Sequence, residues 1–231
     1  MENPSRAIDA SYERHYAERK AARVYPTEFV VRTFLATYPG LEFARPAAGA
    51  RILDVGFGDG RNTAFLCEQG LAVAGIEITQ GIVEQTRERL ARLGHAADLR
   101  VGRNSRIPFA DGDFDYILAC HCCYYCDEGE SFADNLREYA RVLGKAGWLV
   151  ASVASRDSYI FRGAAEQPDG SLVVKSDPYG NRNGYRLHAF RERGDIEAYM
   201  APFFERFSFG FADNDYYGIT ERVFWVVCRK K

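Results

Sequence analysis

The chain has 231 residues, of which 47% are hydrophobic and 27% charged, with a formal net charge of −2. That length suits one α/β domain with elaborations, and so slight a net charge exerts no general pull toward nucleic acid. No apolar run of about eighteen residues is present to cross a bilayer, and Met1 to Lys20 carries Arg6, Glu13, Arg14, Arg19 and Lys20 where a signal peptide would be apolar, so a cytoplasmic chain without a membrane partner is expected.

Residues 1–46 precede the first strand and read as mainly helical. Phe29, Val30, Val31, Phe34 and Leu35 fall at helical spacing, with Pro26 in a first turn. This segment is expected to be a helical lid or cap, with residues 47–231 forming the main domain. Arg51 to Val55 is a short apolar run of the kind a buried parallel strand needs, and Gly56, Gly58 and Gly60 follow at alternate positions before a helix ending near Gly70. Leu71 to Ile76 is a second buried strand closing on Glu77. Thr79 can cap a helix carrying Ile82, Val83, Thr86, Leu90 and Leu93, with Gly94 as its stop. Ala97 to Val101 and Phe114 to Cys120 give the third and fourth strands. A helix striped by Phe132, Leu136, Tyr139, Ala140 and Leu143 is expected to stop at Gly144, and Trp148 to Val153 is the fifth strand.

The punctuation then changes. Gly163, Pro168-Asp169-Gly170, Pro178, Gly180 and Gly184 break up residues 155–190, predicting hairpins or a structured insertion. Phe203 to Phe211 and Arg222 to Cys228 supply the last two strands. The whole predicts an α/β fold, a Rossmann-like doubly wound sheet of seven mostly parallel strands with helices on both faces and an antiparallel last strand.

A glycine loop at this place in a βαβ unit serves two ligand classes. A dinucleotide fingerprint needs G-x-G-x-x-G, but Gly56 to Gly60 is G-x-G-x-G, and Arg61 stands where the third glycine would be. Asp54 and Asp59 add two carboxylates, which disfavour a pyrophosphate and favour a ligand carrying an ammonium or sulfonium group. Asp54-Val55-Gly56-Phe57-Gly58-Asp59-Gly60 resembles the first motif of class I methyltransferases dependent on S-adenosylmethionine. Glu77 lies where that family places the acid that bonds the ribose hydroxyls. Ile107 to Asp115 resembles its approach to strand four, and Arg141 to Trp148 its approach to strand five.

The resemblance covers about residues 50–153 and implies S-adenosylmethionine as cofactor and S-adenosylhomocysteine as product. It implies that Asp54 and the backbone of Gly56, Phe57, Gly58 and Gly60 hold the methionine end, Glu77 the ribose, and Ile78 the adenine face. Cys120 joins the set at the end of strand four. The family often has an aspartate ahead of its Leu-Pro-Phe equivalent. Here Asn104 or Ser105 is expected to accept the adenine amino group through a side-chain oxygen.

Cys120-His121-Cys122-Cys123-Tyr124-Tyr125-Cys126 follows strand four at the ligand edge of the sheet. Cys123 and Cys126 have C-x-x-C spacing, but no second pair completes a metal site, and reduced, packed thiols are expected. His121 has the pKa range of a general base and is the candidate catalytic residue; its alternative is a histidine bonded within the loop. Tyr124, Tyr159, Arg182 and Tyr185 are candidates to meet the acceptor, within a wider set of aromatics and cations between residues 155 and 220 that could equally fill a core. The expected function is methyl transfer to an oxygen or nitrogen of a small molecule. A protein or RNA acceptor, a non-catalytic cofactor-binding module and a nicotinamide oxidoreductase are the alternatives. The oligomeric state is not legible.

Overall fold

In the computed structural model, residues 4–18 and 23–231 are described, with side chains from Asp9 onward in the first helix. The sheet explains the continuous apolar runs of its central strands. β1 (Arg51–Val55) sends Ile52 into one core and Leu53 into the other, so neighbouring residues on one strand are both fully buried. β2 (Ala72–Glu77), β3 (Asp98–Val101), β4 (Phe114–Ala119) and β6 (Leu143–Ala154) join it in parallel, while β5 (Tyr125–Cys126) lies in another sheet. One face packs Leu53, Ile76, Ile117, Leu136 and Tyr139; the other packs Phe34, Ile52, Leu66, Leu118 and Trp148.

The predicted seven strands are present, in the order β10-β11-β6-β4-β1-β2-β3 once β10 (Phe204–Tyr216) and β11 (Ile219–Lys230) are added. β11 runs antiparallel to both β6 and β10, as expected of the last strand. The order reverses between β1 and β4, and the segments leaving those two strands, residues 56–60 and 120–126, flank the switch point where such sheets hold ligands.

The helices are α1 (Pro4–Glu18), α2 (Glu28–Leu35), α3 (Arg61–Glu68), α4 (Gln80–Arg92), α5 (Phe132–Val142) and α6 (Arg193–Met200). Thr79 caps α4 through its hydroxyl, and Ser131 with Asp134 forms a capping box on α5. Part of the predicted N-terminal helical segment, residues 1–3 and 19–22, lies outside the described residues. Pro26 sits ahead of α2 and not in its first turn, because Thr27 is the extended N-cap. Gly144 is no helix stop: α5 ends at Val142, and Leu143 already pairs with Phe114, so the chain passes from helix to strand without a loop.

The segment after β6 folds into a 3-10 turn, Tyr159–Phe161, and a sheet of two-residue strands. β7 (Ala165–Glu166), β8 (Leu172–Val173) and β9 (Arg186–Leu187) pair in sequence, and β9 recruits β5 from the cysteine segment. This sheet ties the end of β4 to the region that follows β6.

Candidate functional site

Three left-handed glycines shape the loop after β1, at φ 63° for Gly56, 55° for Gly58 and 75° for Gly60. Their surroundings differ. A Cβ on Gly56 would lie 2.9 Å from the Cβ of Cys122, and one on Gly58 would run into the Tyr16 hydroxyl, so both face the space between the loop, the cysteine segment and α1. A Cβ on Gly60 would instead meet the Thr86 methyl at 2.6 Å. The third glycine therefore lets α3 and α4 close on each other, and it lies outside the lining of both cavities described below.

Glu77, at the end of β2, fastens the loop. Its two oxygens accept from the Gly58 amide at 3.0 Å and the Ile78 amide at 2.7 Å, and Thr86 Oγ1 donates to the Gly58 carbonyl at 2.6 Å. Burial pushes the Glu77 carboxyl up to about 7. Asp54 is also raised to about 7 by burial, but its oxygen accepts from Thr63 Oγ1 at 2.7 Å behind the loop. It lines neither cavity and supports the loop from below.

Two cavities meet here. The inner one lies between the loop, Glu77, Ile78, Asn104 and the tyrosines Tyr12, Tyr16, Tyr125 and Tyr185. The outer one begins over Gly56 to Asp59 and extends past Tyr124, Tyr159, Tyr216 and Glu221. Tyr16, Gly56, Cys120, His121 and Arg182 line both. A recess shared by His15, Tyr159, Tyr179, Arg182 and Glu221 continues outward.

α1 covers the inner cavity. Tyr12 and Tyr125 share a hydroxyl contact at 3.2 Å, Asp9 pairs with Arg103 at 2.5 Å, and Arg103 pairs with Asp127 at 2.9 Å. His15 Nδ1 meets Asn181 Nδ2 at 2.8 Å, which joins the same helix to the insertion. Tyr12, Tyr16, Arg103 and Asp127 were not among the predicted site residues. Tyr12 and Tyr16 lie four apart on one helical face, the one sequence signal that pointed to them.

The predicted adenine contacts divide. Asn104 lines the inner cavity, but its carboxamide is engaged: Nδ2 donates to the Cys122 and Tyr125 carbonyls, and Oδ1 accepts from the Tyr139 hydroxyl at 2.7 Å. Its geometry anchors the cysteine segment. Ser105 lines a separate recess with Gly129 and Glu138 and not the inner cavity. Tyr185, predicted to meet the acceptor, lines the inner cavity instead, where it packs edge-on against Tyr12 and Tyr125. Tyr124 and Tyr159 line the outer cavity, and Arg182 lines both.

The thiols of the cysteine segment diverge. Cys122 Sγ donates to the Val55 carbonyl at 3.0 Å and Cys123 Sγ to the Ser152 carbonyl at 3.2 Å, while Cys120 Sγ approaches Thr27 Oγ1 at 3.6 Å. Burial lifts the Cys120 thiol to about 12 and the Cys126 thiol to about 12, far from the thiolate a nucleophile needs. His121 between them adopts φ 57°, a left-handed conformation held by its amide, which donates to the buried Ser152 Oγ at 2.7 Å. Its ring lies edge-on to Trp225, and burial with the nearby Arg182 and Arg61 charges lowers its pKa to about 4. At neutral pH it is an uncharged imidazole where the two cavities join.

The donor set suits S-adenosylmethionine. Glu77 retains lone pairs for a vicinal diol, and the glycine backbone permits close approach. Residues 53–151 match a family model described as a methyltransferase domain. Demethylmenaquinone methyltransferase of Tropheryma whipplei is 35% identical over 103 residues, 45% of this chain and 41% of the relative, so the chain spans less than half of that protein's length. A methyltransferase structure from Methanosarcina mazei has a TM-score of 0.65 at 18% identity, covering 90% of this chain and 99% of its own. N-methyltransferase NodS from Bradyrhizobium japonicum, solved with S-adenosylhomocysteine, has a TM-score of 0.61 at 13% identity, with 96% and 98% covered. The sheet order is that of these structures, and over residues 53–151, which include the glycine loop and the acid after β2, the chain is similar to S-adenosylmethionine-dependent methyltransferases.

Proposed function

We propose that this chain transfers a methyl group to an oxygen or nitrogen of a small-molecule acceptor. The observation that carries the reading is the pair of cavities meeting at Gly56, Cys120 and His121, one suited to a nucleoside and the other open toward the insertion. When bound, S-adenosylmethionine supplies an activated methyl group on a sulfonium, open to in-line displacement. Glu77 would bond the ribose hydroxyls, the Gly56 to Gly58 backbone would admit the methionine end, and Ile78 would pack on the adenine. Tyr12 and Tyr16 exclude water from above, so α1 serves as a lid. His121, without a side-chain hydrogen bond among the described residues, stands where the two cavities join and would take the proton that the attacking O–H or N–H gives up; its lowered pKa makes it a weak base that passes the proton on readily. Alignment supplies most of the acceleration, because the leaving group is already activated.

Demethylmenaquinone is a second reading for the acceptor, favoured by the relative's match over 103 residues. Calorimetry against S-adenosylhomocysteine and NAD tests the foundation. Micromolar binding of the former and none of the latter is expected; binding of NAD alone overturns the proposal. Labelled methyl donor, offered with metabolite fractions and separately with demethylmenaquinone, then distinguishes the acceptors.

A further inference from the structure

Charged groups in the outer cavity are nearly all matched. Arg61 pairs with Asp59 at 2.6 Å and Glu28 with Arg32 at 2.7 Å. Arg182, a half-buried cation that lines both cavities, donates through Nε to the Tyr125 hydroxyl and through Nη1 to the Tyr159 hydroxyl, each at 3.0 Å. Its counterion is Asp177, 3.6 Å away and wholly buried, which also accepts from the amides of Tyr179, Asn181 and Arg182. The loop carrying Arg182 is thus wound around its own carboxylate.

Glu221 is the exception. It lies on β11, facing both the outer cavity and the recess beyond it, beside the rings of Tyr159 and Tyr216. Among the described residues its carboxylate accepts no hydrogen bond and forms no ion pair, although it is half-buried and sits in the field of Arg182. Withdrawing a carboxylate from water without a direct partner is unfavourable, and only the field of Arg182 offsets it here. A carboxylate flanked by tyrosine rings is a recognised chemistry for an ammonium group, which the acid pairs and the ring faces attract.

We propose that the acceptor carries an ammonium group and that Glu221 binds it. This rests on the methyl-transfer reading and specifies its substrate class. A carboxylate held by Arg182 is the competing arrangement. It is disfavoured because Asp177 and the two tyrosine hydroxyls already answer that guanidinium, whereas Glu221 is answered by nothing.

The test uses the full chain loaded with S-adenosylhomocysteine and three probes of similar shape: phenethylamine, 2-phenylethanol and 3-phenylpropanoate. By calorimetry, phenethylamine is expected to bind at least tenfold more tightly than either of the others. Glu221→Gln brings it to within about threefold of the alcohol, while Glu221→Asp keeps part of the preference. Affinity for S-adenosylhomocysteine stays within about twofold in both variants, which also reports that they fold. A preference for phenylpropanoate, an amine preference that survives Glu221→Gln, or failure of all three probes to bind the loaded chain overturns the inference. Failure of S-adenosylhomocysteine itself to bind strikes the methyl-transfer reading, and the two failures are thereby separated.

Discussion

The inner and outer cavities are built on different principles. The inner one rests on backbone: a glycine loop whose amides are held by Glu77, between two parallel strands that share one register. The outer one rests on side chains brought from remote places: His15 on α1, His121 after β4, Tyr159 and Arg182 after β6, and Glu221 on β11. Backbone geometry fixes one cofactor. On the proposed reading, the side chains gathered from those separate segments would meet the acceptor.

Substitutions can separate these halves. The largest effect is expected from His121→Gln, which should lower kcat by about 10²–10⁴-fold with affinity for S-adenosylhomocysteine unchanged; an unchanged kcat removes the base. Glu77→Ala should do the converse. Losing charge-assisted bonds to the ribose, and leaving the Gly58 and Ile78 amides unpaired, should weaken S-adenosylhomocysteine about 10²-fold by calorimetry.

Gly58→Ala should weaken it about tenfold, because the new methyl meets Tyr16 and strains a left-handed residue. Gly60→Ala should cost about 1–3 kcal/mol of stability in denaturant titration while sparing affinity, since its clash is with Thr86 between helices. If Gly60→Ala weakens cofactor binding as much as Gly58→Ala does, the third glycine belongs to the ligand after all.

The smallest effect concerns pH. Glu77 and Asp54 have folded pKa values of about 7, above the ordinary carboxylate range, so the stability they contribute is full at low pH and is lost as pH rises through 7. His121, lowered to about 4, acts oppositely: its contribution is present above its ordinary value of 6.5 and lost as pH falls through 4. Glu77→Gln should therefore flatten the fall in melting temperature between about pH 5 and pH 8 in the cofactor-free chain. An unaltered slope would show that Glu77 is not the titrating group.

The sheet was legible because β1, β2 and β4 at its centre are short buried runs, and the loop because three glycines and two acids stand within seven residues of one another. What remained illegible has physical causes. Gly60 and Gly58 look alike in sequence, and only the neighbour each faces, Thr86 or Tyr16, tells them apart. Two-residue strands such as β5 and β9 have no periodicity, and their pairing of Tyr125 with Leu187 joins residues far apart in the chain. The edge strand β10 alternates between half-buried and exposed residues, so only its first part, through Phe211, read as a strand. Tyr185 and Tyr159 come from one aromatic-rich stretch yet face different cavities.

The attachments of α1 bear on kinetics. One helix touches the inner cavity through Tyr12 and Tyr16 and the insertion through His15, so the ceiling over both cavities is a single piece. A molecule seated first in the outer space would hold that ceiling down over an empty nucleoside site. Addition should then be compulsory in order, cofactor before acceptor, with departure of the spent cofactor as the slow event of each cycle.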